Sequence, residues 1–72
     1  MEVRVNVFEN RKIWYNGPTE KSWRVVLLID GRPEKSWDVS TREQLFSIIE
    51  NIVDTYRYTD VHIVWRVTES WA

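Results

Sequence analysis

Residues 40–56 read STREQLFSIIENIVDTY, and this stretch decides the fold because it contains the chain's one strong helical signal. Ser40, Thr41, Arg42 and Glu43 match a capping box, in which Ser40 accepts from an unpaired amide of the first turn and Glu43 reaches back to the cap. Leu45, Ile48, Ile49, Ile52, Val53 and Tyr56 then recur at three- and four-residue spacing, with Glu43, Ser47, Glu50 and Asp54 on the opposite face. The pattern predicts an amphipathic helix with one apolar stripe, so the rest of the chain must supply a surface to cover that stripe.

On either side of the helix the apolar period changes from 3.6 to 2. After it, Val61, Ile63, Trp65 and Val67 alternate with polar positions and predict a closing strand. Before it, Glu34–Val39 is a strand whose entry carries Pro33, and a residue without an amide donor belongs on a sheet edge. Asp30-Gly31 turns the chain back into Trp23–Ile29, where Val26 and Leu28 make the second face apolar as well, as in a central strand. This central strand is expected between Glu34–Val39 and Val61–Val67, antiparallel to both.

At the start, Val3, Val5 and Val7 alternate with Glu2, Arg4 and Asn6, Glu9-Asn10 reads as a tight turn, and Arg11–Tyr15 as a short second strand. The expectation is one two-layer α+β domain over residues 1–72. It has a single layer of four to five mostly antiparallel strands packed on one helix, in the order ββββαβ, or βββαβ if the first two strands merge.

A six-residue echo, Glu20–Val25 against Glu34–Val39, bears on register. A two-residue turn at Asp30-Gly31 sets Trp37 opposite Arg24, whereas a three-residue loop sets it opposite Trp23. The longer loop is preferred, since it gathers Trp23, Val25, Leu27, Trp37 and Val39 on the helix side.

Composition narrows function mainly by exclusion. The 72 residues include no cysteine, which removes disulfides, thiolate metal sites and cysteine nucleophiles. A net charge of −1 from interspersed acids and bases supplies no field for nucleic acid or anionic membrane. No serine lies in a Gly-x-Ser-x-Gly elbow, Gly17 and Gly31 are isolated turn glycines, and the lone His62 sits on the polar face of the last strand. The helix acids Glu43, Glu50 and Asp54 read as a solvated stripe. The chain is therefore expected to be non-enzymatic, without cofactor or metal.

Met1-Glu2-Val3-Arg4 lacks a signal-peptide core and no apolar run is long enough to span a bilayer, so a cytoplasmic or soluble recombinant protein is expected. The only alanine is Ala72 and the only methionine is Met1, a bias that fits a designed or orphan chain.

Two binding readings follow. If the helix covers one sheet face, Phe8, Val26, Leu28 and Val64 fall on the other and form an apolar patch for a protein partner or a second copy. The alternative is a sheet that binds single-stranded nucleic acid through Trp14, Tyr15, Arg24 and Lys35, stacking bases on aromatics and tracking phosphates with cations. The five tryptophans are expected first as packing residues. The run Asp38–Leu45, a strand passing through a capped turn into a helix, resembles the sheet-then-helix plan of coactivator-type single-stranded-DNA-binding domains, of small phage-encoded CRISPR inhibitors and of half of an idealised designed α/β protein. That likeness is one of layout and carries no functional residue across.

Overall fold

The structure, a computed structural model, describes residues Met1–Trp71. It contains β1 (Val3–Ile13), β2 (Glu20–Ile29), β3 (Arg32–Val39), α1 (Arg42–Thr55) and β4 (Val61–Trp71). The order is thus βββαβ, because the two N-terminal segments form one strand. Glu9-Asn10 makes no turn. Asn10 lies in register with Ser22 of β2 and Thr68 of β4, so its backbone is held from both sides, and the reversal comes later, at Trp14–Gly17.

The four strands form one mixed sheet in the order β3-β2-β1-β4. β2 is antiparallel to both β3 and β1, whereas β4 lies parallel to β1. The predicted central place of Trp23–Ile29 holds, and Pro33 does mark an edge strand. The expected neighbour is corrected: β4 pairs with β1, not with β2. The hairpin from β1 already occupies the second edge of β2, so the only edge left near the crossover's end is that of β1. The helix therefore carries the chain across the sheet from one edge to the other.

The β2–β3 register is also corrected. Asp30 (φ 50°) and Gly31 (φ 81°) are both left-handed, the signature of a two-residue type I′ turn, with Ile29 opposite Arg32. A bulge between Leu27 and Leu28 then leaves Glu34 without an opposing residue, and beyond it Trp37 faces Val25, neither Arg24 nor Trp23. The extra residue restores what the longer loop was meant to achieve, since Trp37 and Val39 lie on the helix side beside Val25 and Trp23. The turn is tied to the start of β1: the Glu2 amide donates to Asp30 Oδ1 at 2.8 Å, and the Asp30 amide donates to the Glu2 carbonyl at 2.9 Å.

The helix starts one residue later than the capping box implies. Thr41, in extended conformation, is the cap, and its Oγ1 accepts from the Gln44 amide at 3.2 Å, so Gln44 replaces Glu43 as the residue three positions on. Leu45 and Ile52 are buried, Ile48, Ile49 and Tyr56 are half-buried, and Val53 is exposed at the margin of the stripe. Their counterparts are Val3, Val5 and Val7 of β1 with Trp23, Val25 and Leu27 of β2. At ~25 cal/mol per Å² this single layer of aliphatic and indole surface is the main favourable term holding the chain folded. Of the five tryptophans only Trp23 is buried.

Candidate interaction surface

The helix packs over β1 and β2, the two middle strands, and leaves both edge strands largely open. On the β3 side Ile48, Asn51 and Thr55 line a shallow groove with Trp37 and Lys35. With 100° between successive residues, Phe46, Ile49 and Val53 must then lie on the opposite flank, turned toward β4. β4 itself is uncovered. Its register puts Ile63 beside Val5, Trp65 beside Val7 and Val67 beside Glu9, all on the helix side of the sheet. Of this alternating stripe only Val61 packs on the core.

Ile63, Trp65 and Val67 together with Phe46 and Val53 are each between 40% and 48% exposed, and Trp71 beyond them is 75% exposed. By strand register and helical period these side chains share the helix side of the sheet, on the β4 flank of α1, and together make an exposed apolar stretch, the trough. Its signal in the sequence is a second helical stripe, Phe46, Ile49 and Val53 at spacings of three and four, next to the stripe that faces the core. Phe46 and Trp71 are the residues that sequence reasoning missed.

A polar cluster closes the far end of the core. The helix, about 21 Å long, is shorter than β1 and β4 at about 36 Å, and Glu9 enters the interior beside Trp23 at the end where the helix begins. It is 6% exposed. Trp23 Nε1 donates to Glu9 Oε1 at 2.9 Å, and Arg11 Nε donates to Oε2. Burial by itself raises the Glu9 pKa, but the hydrogen bonds from Trp23 and Arg11, with the charges of Arg11 and Lys21, outweigh it and hold the carboxyl below its usual value. Arg11 also meets Glu69 of β4 at 3.5 Å. Both carboxylate oxygens of Glu9 are thus paired inside the protein.

The helix-free face does bring Phe8, Val26, Leu28 and Val64 together. Each is half-buried, and polar residues separate them: Asn6 stands between Val26 and Val64, Phe8 lies between Arg24 and Arg66, and Leu28 lies beside Arg4. It is a broken patch, smaller than the trough.

The four residues of the nucleic-acid alternative do not share one surface. Arg24 is on the helix-free face, bound to Asp38 at 2.9 Å, and that hydrogen bond holds Asp38 below the usual carboxylate range. Lys35 is in register with Leu27 on the helix side, its ammonium 5.8 Å from the Trp37 ring. Trp14 and Tyr15 lie in the β1–β2 connection, with Lys12 over the Trp14 ring at 4.5 Å. Trp14 and Lys35 are each engaged in a cation–ring contact and Arg24 in an ion pair, while Tyr15 is exposed.

His62 is exposed on β4, and Glu43, Glu50 and Asp54 are exposed on the helix. Among the described residues no three His, Asp or Glu side chains are grouped to hold a metal, and no helix is long and apolar enough to cross a membrane. Comparison with family models, with curated proteins and with solved structures found no match to this chain.

Proposed function

We propose that this chain is a non-catalytic interaction domain, a small scaffold that works by binding protein. The observation that carries the reading is the trough: three large apolar side chains of β4 point to the layer that normally buries them, and the helix leaves them in water. The largest apolar patch on a typical monomer covers about 300–600 Å² and is often functional. The broken patch of Phe8, Val26, Leu28 and Val64 is a second, weaker surface of the same kind.

Selection of a displayed random-peptide library against the folded domain tests this. Enriched peptides are expected to lose at least about tenfold in affinity when Trp65 is replaced by Ser, and to be indifferent to Tyr58→Ser in the exposed segment after the helix. Peptides insensitive to every substitution in the trough and in the helix-free patch count against the reading. Quenching of tryptophan fluorescence by a single-stranded oligonucleotide, abolished by added salt, moves the function to the alternative built on Trp14, Tyr15, Arg24 and Lys35.

A further inference from the structure

We infer that the occupant of the trough is a second copy of this chain, joined edge to edge through β4 in an antiparallel pair whose two-fold axis passes through Trp65. The inference deepens the protein-binding reading and rests on it. Three independent features of the structure lead to it.

The two edges of the sheet are treated differently. β3 carries Pro33, a bulge and the charged pair Glu34-Lys35, devices that keep a foreign strand from adding. β4 carries none of them. Its eleven residues run in unbroken register with β1 from Val61 to Trp71, contain no proline, and leave the outer row of backbone donors and acceptors free for a partner strand.

The area is of the right size. The exposed parts of Phe46, Val53, Ile63, Trp65 and Val67 amount to about 500 Å², against roughly 800 Å² per partner in a standard stable interface. The newly paired backbone edge and the trough's polar rim supply the remainder.

The sequence of β4 is complementary to itself when the axis lies on Trp65. With the axis on Trp65, Ile63 lies opposite Val67 of the second copy and Trp65 opposite its own equivalent on the helix side. On the other face Val64 meets Arg66 and His62 meets Thr68, so no like charges are opposed. Moving the axis to Arg66 sets that guanidinium against itself, and moving it to Val64 sets His62 against Arg66. Pairing about a residue keeps side chains of equal parity on the same face, so both helices stand on one side of an eight-stranded sheet. Their Phe46, Ile49 and Val53 flanks then face each other over a joined floor. An isologous contact of this kind closes on itself and does not propagate into fibres.

Sedimentation equilibrium over a concentration series, with far-UV circular dichroism to establish folding, tests the proposal. The wild type is expected at twice 8.8 kDa, dissociating on dilution. I63K is expected to weaken the dimer at least about tenfold without loss of sheet signal, because Ile63 is half-exposed in the monomer. V67E is expected to weaken it similarly, and the double variant I63K/V67E to recover most of the loss, since the new ammonium and carboxylate meet only across the proposed register. Within one strand the two positions are about 13 Å apart and cannot pair. A wild type that stays at 8.8 kDa throughout, a dimer broken by Phe8→Ser but not by I63K, or a double variant no better than its parents overturns the proposal. In the monomeric case the peptide selection still decides the wider reading by itself.

Discussion

Replacing Glu9 by Gln tests whether a charge seals the far end of the core. Glu9 is almost completely buried, with Trp23 and Arg11 each donating to one carboxylate oxygen. A hydrogen bond to an ionised group contributes about 1.5–3 kcal/mol net, and one between neutral groups about 0.5–1.5 kcal/mol. Glutamine keeps the shape and one acceptor, so the Trp23 bond survives in neutral form, while its amide nitrogen opposes the Arg11 donor. The expected loss at neutral pH is about 1–2 kcal/mol, which in a domain of this size lowers the melting temperature by roughly 4–8 °C per kcal/mol.

The pH dependence gives the same variant a second readout. The folded-state pKa of Glu9 lies below its ordinary value of 4.5, so the unfolded chain takes up the proton first as acid is added. The stabilisation is complete above that ordinary value and disappears as the pH falls through the folded-state value. Urea unfolding followed by circular dichroism should therefore show wild type and E9Q well separated at about pH 7 and converging as the pH falls below 4.5, with a shallower acid limb for the variant. Equal stabilities at neutral pH and parallel acid limbs would refute the reasoning, and would mean that Glu9 is held out in water.

Two further substitutions probe the turns that frame the sheet. Thr41→Ala should cost about 0.5–2 kcal/mol by removing the acceptor for the Gln44 amide, while Ser40→Ala should stay within about 0.5 kcal/mol; the reverse order in chemical denaturation would return the cap to Ser40. Gly31→Ala should cost about 1–2 kcal/mol, through backbone conformation alone, because φ is +81° and a Cβ there meets nothing within 4 Å. Gly31→Asn should cost less, since asparagine tolerates the left-handed region, and equal losses for the two variants would speak against a type I′ turn.

Features set by neighbouring residues are legible in the chain. The helix with its stripe, the edge position signalled by Pro33, the Asp30-Gly31 turn and the alternating strands all follow from contacts a few residues apart. Glu9 was misread because a carboxylate amid valines suggests a turn; the indole that satisfies it is fourteen positions away. The bulge at Glu34 escaped because it breaks no apolar pattern, and it instead preserves the pattern after a turn of the wrong parity. Of the candidate surface, Phe8, Val26, Leu28 and Val64 were legible as one face from alternation. The trough was not, because its existence depends on the lateral position of the helix, and Phe46 lies on a flank that only this position leaves open.

The β1–β4 ladder has a consequence for the order in which the protein can form. Its rungs join positions as far apart as the 58 that separate Arg11 from Glu69, so the first strand to leave the ribosome waits for the last before its second edge is closed. Until then a nascent β1–β2–β3 meander presents a valine-rich strand with an open side, and the late step closes a loop containing most of the chain. Such high contact order slows folding relative to helical domains of equal length, and it places the window for misassociation on β1 during translation.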